Sequence, residues 1–194
     1  MAEEIRWTPK ARAVLDAASE LFYARGIHAV GVDAVAERAG VTKKTLYDRF
    51  GSKERLVAEY LAERDRQWRA VLQGHLETAG DDPRARVAAL FAAAAGWSAA
   101  RGSHGCAMVN AHAEIDDPAH PAYAVMVEQK RWMLALLVDL AGAAGATDPD
   151  ALGAQLMLLH EGATVAAGMR AVPEPFAVAG AAAAALLGRE GRAA

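Results

Sequence analysis

Residues Thr42-Lys43-Lys44-Thr45-Leu46-Tyr47-Asp48-Arg49-Phe50 place short hydroxyls and long cations around two large apolar side chains four positions apart. On a helix, Leu46 and Phe50 share the inward face, which leaves Thr42, Lys43, Lys44, Thr45, Tyr47, Asp48 and Arg49 outside. Ammonium groups donate to guanine acceptors or to phosphate oxygens, and threonine can hydrogen-bond or touch a thymine methyl. This is chemistry suited to a DNA major groove. Lys53, just after Ser52, stands at a helix start where free amides also favour phosphate. The plainer reading of the same residues is a solvated helix face.

Other groupings offer less. His112 with Glu114 and Asp116, and His160 with Glu161, lack a recognised metal-ligand spacing. Cys106 is the only cysteine, with neither a resolving partner nor a cationic run beside it in sequence. Ser19, Ser52, Ser98 and Ser103 are the only serines, and Ser52 reads best as a helix cap. No Gly-rich phosphate loop is present. The expectation is no catalytic residue, no metal and no cofactor.

The elements that must hold the reading segment are all helices. Thr8 caps and Pro9 opens a first helix whose apolar face is Ala11, Val14, Leu15, Ala18, Leu21 and Phe22, with Gly26 ending it. A second short helix spans about 33–39, Gly40 breaks it, and Thr42 caps a third. Two short helices about a Gly-centred turn outline a helix-turn-helix. A long helix follows from Ser52 to about Thr78. Further helices are expected at 84–100, 106–114, 119–142, 149–170 and 174–188, punctuated by Pro and Gly.

The composition agrees. Hydrophobic residues make up 54% and charged residues 23% of 194, a globular balance rich in alanine. Net charge is −3 overall. Residues 1–56 carry 10 basic and 8 acidic side chains, and the remainder 11 and 16. A mildly positive head on an acidic body is compatible with DNA binding. No secretory signal opens the chain, and Phe176 to Leu187 is too short to span a bilayer. A cytoplasmic protein without membrane contact is expected.

The stretch Ala39-Gly40-Val41-Thr42-Lys43-Lys44-Thr45-Leu46-Tyr47-Asp48-Arg49-Phe50-Gly51-Ser52-Lys53-Glu54-Arg55-Leu56 resembles the signature of TetR-family transcriptional regulators. Ala18, Leu21, Phe22, Gly26 and Val35-Ala36 fall at matching positions, so the likeness covers about residues 10–60. Gly105-Cys106-Ala107-Met108-Val109-Asn110 also looks like a segment of many members. The resemblance implies base or phosphate contacts from Thr42, Lys43, Lys44, Thr45 and Tyr47, and a phosphate contact from Lys53. Two residues depart from the pattern. Gly31 stands where a capping hydroxyl is usual, and Asp48 where an aromatic or basic residue is common. Pairing with Lys44 is the favoured role for Asp48.

The resulting expectation is an all-α chain. A DNA-binding domain over 1–62, with the helix-turn-helix at about 31–50, precedes a ligand-binding and dimerisation domain over 63–194. Leu152, Leu156, Leu159, Ala163, Ala166 and Ala167 read as one broad face, and the 174–188 helix is apolar almost all round. A homodimer through 149–188 would use both, with Gly162, Ala166 and Gly168 allowing close approach; the alternative is that these helices are simply the core. Such a dimer would read a palindromic operator in double-stranded DNA. Trp68, Trp97, Met108, His112, Trp132, Met133 and His160 are the candidate walls of an effector pocket, each also readable as plain core. The resemblance implies a repressor released by a small molecule that shifts the fourth helix. A ligand-independent regulator or activator is the alternative, and a small all-helical enzyme or binding protein is the alternative of another class.

Overall fold

The computed structural model describes residues 5–101 and 104–190. Among them it contains helices and no strand: α1 (Pro9–Arg25), α2 (Val32–Arg38), α3 (Lys43–Phe50), α4 (Lys53–Thr78), α5 (Pro83–Arg101), α6 (Ala107–Glu114), α7 (Pro121–Ala143), α8 (Pro149–Met169) and α9 (Pro175–Glu190). The caps explain the boundaries. The Thr8 hydroxyl accepts from the Ala11 amide at 3.2 Å, Thr42 from Thr45 at 3.1 Å, Ser52 from Arg55 at 3.1 Å, and Asp148 from Ala151 at 3.0 Å. Each satisfies one of the free amides of a first helical turn. Gly31 precedes α2 with no side-chain cap.

The chain divides into two compact units. The first comprises residues 1–64 with 107–127, and the second 65–106 with 128–194. The sequence reading had expected one cut near residue 62; α6 and the start of α7 cluster instead with the head. In the first unit Val14, Leu15, Ala18, Phe22, Val35, Leu46 and Phe50 are buried between α1, α2 and α3. Leu56, Val57, Tyr60 and Leu61 of α4 are as deeply buried, and Tyr60 stacks at a tilt on Phe22, 5.8 Å between centroids. Three short helices bury little area by themselves, so α4 completes their core.

In the second unit the core joins Trp68, Leu72 and Leu76 of α4, Val87, Leu90 and Phe91 of α5, Met133, Leu137 and Leu140 of α7, Leu152 and Leu156 of α8, and Phe176 of α9. Small residues set the closest approaches. A Cβ on Gly153 would lie 2.5 Å from the Val138 side chain and within 2.9 Å of its backbone, so α7 and α8 touch main chain to main chain. Gly168 meets the backbone of Gly105 in the same way, at 2.9 Å. Its smallness admits that main chain within the chain's own fold. Among the described residues no helix is long and apolar enough to cross a membrane.

Candidate nucleic-acid interface

α2, the turn at Gly40 (φ +64°) and α3 form the helix-turn-helix. The turn is closed by Gly40 N–H to Glu37 O at 3.1 Å and Val41 N–H to Ala36 O at 3.0 Å. Leu46 and Phe50 are fully buried. The opposite side of α3 presents Thr42, Lys43, Lys44, Tyr47 and Asp48 to solvent, while Thr45 and Arg49 are half-buried. Trp7 packs edge-on against Phe50, 6.2 Å between centroids, under the Arg12 guanidinium at 4.5 Å. Trp7, just ahead of the Thr8 cap of α1, thus braces the inner face of α3.

The polar groups on this surface are already arranged. Lys43 Nζ donates to Asp33 Oδ2 at 3.0 Å. That hydrogen bond and the carboxylate's charge hold the Lys43 pKa above its ordinary value. The hydroxyls of Thr42 and Thr45 lie 2.9 Å apart, which fixes the Thr45 side chain against the helix cap. Lys44 and Asp48 do not pair; Asp33, on α2, takes the neighbouring lysine instead. Lys53 Nζ donates to the Ile27 carbonyl at 2.6 Å and lies 5.9 Å from the Phe22 ring centre. One of its three protons therefore ties α4 to the α1–α2 turn.

That turn has a second fastening that sequence reasoning missed. Glu114, the last residue of α6, accepts from the Ile27 amide at 2.9 Å and the His28 amide at 2.6 Å. Its Oε2 lies 3.5 Å from His28 Nδ1. A Cβ at Gly26 (φ +88°) would sit 3.2 Å from Glu114 Oε1, so only glycine leaves room at that position without backbone strain. Glu114 acts as a bidentate acceptor for backbone amides. Among the described residues no three His, Cys, Asp or Glu gather as a metal site. The partners lie 86 and 87 positions apart, a separation no local pattern reveals. The Glu54 carboxyl, nearby in the same unit, is held below its ordinary value by its own amide and the Ser52 hydroxyl, and further by His120.

The candidate pocket residues separate into groups. Trp68 is the hub of four: its Nε1 donates to Met133 Sδ at 3.4 Å, and its ring lies 5.8 Å from Trp97 and 6.1 Å from His160. Trp132 packs against the same core without a ring contact to Trp68 among those observed, and is covered by the Arg69 guanidinium at 3.9 Å. Met108 and His112 belong to the other unit. Met108 is buried, and His112 is exposed beside Tyr123, 5.9 Å away. A shallow groove of about 610 Å³ also opens on the second unit, lined by Ser98, Ala167, Arg170, Val172 and Phe176 among others, and includes none of the seven.

Cys106 does have a cationic neighbour in space, Lys130 Nζ at 3.4 Å, which the sequence could not show. The same ammonium donates to both Glu161 oxygens at 2.8 and 2.9 Å. Burial opposes ionisation of Glu161, but the His160 hydrogen bond and the Lys130 charge outweigh it and hold the carboxyl at about 2. Lys130 is correspondingly raised: burial works against its charge, and Cys106 and Glu161 more than compensate.

The face of α8 available to a partner differs from the one expected. Leu152, Leu156 and Ala163 are buried in the subunit's own core. On the other side Leu158, Val165 and Met169 are exposed at 72%, 46% and 74%. Gly162 lies between them, and the 4-3-4 spacing makes one apolar stripe. Val178 on α9 is 58% exposed.

With this geometry in hand, known proteins supply a frame. The family of bacterial regulatory proteins of the tetR type matches residues 14–60. A TetR-family transcriptional regulator of Streptomyces coelicolor has the same fold with a TM-score of 0.87 at 29% identity, covering 94% of this chain and 96% of that one. A TetR-type regulator of Streptomyces avermitilis is 34% identical with a TM-score of 0.74, over 86% of this chain and 89% of its own. The HTH-type transcriptional activator FasR of Mycolicibacterium smegmatis is 48% identical over 64 residues, 33% of this chain. The matched stretch spans about a quarter of that protein's length (24%). A capped three-helix head, a wholly helical body and near full-length likeness at 34% identity place the chain in the TetR family of transcriptional regulators.

Proposed function

We propose that this regulator is a homodimer that reads a palindromic operator through α3 and leaves it when a small molecule binds the second unit. The observation that carries DNA reading is the solvent face of α3. Thr42, Lys43, Lys44, Tyr47 and Asp48 stand exposed on a helix whose other side is locked by Leu46 and Phe50. Lys44 is exposed, with no hydrogen bond or ion pair to any described residue, so its ammonium is available to a phosphate or a guanine edge. Arg49 and Lys53 flank this face, Lys53 with two ammonium protons beyond the one given to Ile27.

The stripe Leu158, Val165 and Met169 with Val178 supports a twofold contact, since exposed apolar rows of this size call for a partner. A twofold dimer presents two copies of α3 to two half-sites. Support for a ligand comes from the ring cluster about Trp68, a wall of indoles beside a half-buried ion pair. α4 carries residues of both units in one unbroken helix, so a ligand that moves residues 65–78 has a covalent route to the head. Release requires that the ligand bind one state better than the other.

The second reading is activation. It is favoured by the 48% identity over 64 residues to a protein named as an activator. Both readings share the operator. Selection of bound sequences from a random duplex pool tests it: a winner with two symmetric half-sites and a steep loss of affinity with salt supports the dimeric reader. A pool without enrichment, from protein refolded free of small molecules, overturns it. Transcription from a template carrying the winner then separates repression from activation.

A further inference from the structure

At one level of the second unit the hydrogen-bonding groups do not balance. Asp65 Oδ2 accepts from Arg69 Nε at 2.8 Å. The Lys130 ammonium is used in full by Glu161 and Cys106. Trp68 gives its N–H to the thioether of Met133, a weak acceptor. Two strong acceptors nearby receive nothing. Asp65 Oδ1 and Gln129 Oε1 are closed off from solvent and have no hydrogen-bond partner, and Gln129 as a whole is 6% exposed. Asp65 precedes Trp68 by one helical turn on α4, and Gln129 precedes Met133 by one turn on α7. Asp65 therefore shares a helix face with Trp68, and Gln129 with Met133, the two residues that touch across α4 and α7, with Trp97 and His160 packed around the same indole.

A buried acceptor without a donor is costly, and native proteins leave few of them. The composition of this level says what would relieve the cost. The missing group must bring donors, and lone pairs of its own would only add acceptors to be satisfied. Ammonium and amidinium groups meet that condition; carboxylates fail it, and hydroxyls meet it in part. The unpaired carboxylate oxygen favours positive charge, and indole faces accept both a cation and an apolar body.

We propose that this level is the effector site, and that its ligand is an organic cation offering at least two N–H donors from an apolar body about the size of an aromatic ring. The assignment rests on the ligand-responsive reading given above. Because both oxygens are sealed from solvent, occupancy requires α4 and α7 to part around the Trp68–Met133 contact. The ligand then binds the parted form alone and raises its population.

The test uses the full chain and three probes of one size: benzamidinium, benzoate and toluene. Binding is followed by tryptophan fluorescence and by the thermal midpoint. Benzamidinium is expected to bind at least about tenfold more tightly than either control, and to lose about tenfold in Gln129→Leu and in Asp65→Asn. Helical circular dichroism checks each variant's fold; Gln129→Leu keeps size and removes the orphan, so it decides the matter if Asp65→Asn misfolds. Equal binding of benzoate or toluene, undiminished benzamidinium binding in the variants, or no benzamidinium binding overturns the site. Benzamidinium binding that leaves the operator complex intact supports the site and overturns ligand release. Operator release by acidic or neutral compounds, with no benzamidinium binding, overturns the site and keeps ligand release.

Discussion

Single side chains on the proposed DNA-facing surface have separable jobs. Lys44 is exposed and uncommitted, so Lys44→Ala should flatten the slope of log affinity against log salt by about one unit and leave stability unchanged. Lys53→Ala should flatten the slope similarly and also lower unfolding stability by about 1 kcal/mol, because the Ile27 carbonyl loses its partner. Equal stability of the two variants in urea would contradict the tie to Ile27. In the second unit, Glu161 gives a pH signature. Its carboxyl is held at about 2 against an ordinary 4.5. A depressed carboxylate stabilises the fold fully above its unfolded value, and the contribution fades as pH falls through the folded one. Glu161→Gln should therefore cost on the order of 2 kcal/mol above pH 5, with the difference from the parent shrinking toward pH 2. A constant difference across urea melts over that range would contradict the pairing with Lys130. These charge partners were invisible in sequence: Asp33 lies 10 positions from Lys43, and Glu161 lies 31 from Lys130. The capping roles of Thr8, Thr42 and Ser52 were legible because a cap acts on amides within its own turn.

Helix positions were equally legible, since proline, glycine and capping residues mark boundaries locally and apolar spacing marks faces. What the pattern could not show was which helix each face meets. Leu152, Leu156 and Ala163 share a face that the subunit itself buries, and the uncovered stripe lies opposite. Likewise α6 is recognisable as a helix, but no local pattern shows that it groups with the head, where Glu114 accepts from the Ile27 and His28 amides. Glu114→Ala should leave the Ile27 and His28 amides unpaired, cost about 2 kcal/mol, and speed hydrogen exchange at those two amides. Unchanged exchange there would show that the turn holds without α6. Gly153→Ala forces a methyl into the Val138 backbone and should cost at least about 2 kcal/mol, read by thermal unfolding; a neutral effect would contradict the close crossing of α7 and α8.

For the whole molecule the proposed twofold symmetry is the property to test. A charged residue at the first position of the exposed α8 stripe, Leu158→Glu, should dissociate the proposed dimer in sedimentation and weaken operator binding, while the monomer stays helical. A dimer that survives it uses another face. The acidic body and mildly basic head point the same way as the fold, yet a net charge of −3 alone says nothing of DNA. Specificity must come from α3. Its most direct test is to repeat the duplex selection with Thr45→Val. Thr45 sits on the recognition helix with its hydroxyl tied to the Thr42 cap, and valine keeps its shape without that tie. The account predicts a changed base preference at one position in each half-site, symmetric about the centre, with the rest of the operator retained. An unchanged winner bound with unchanged affinity would mean that α3 does not read the bases.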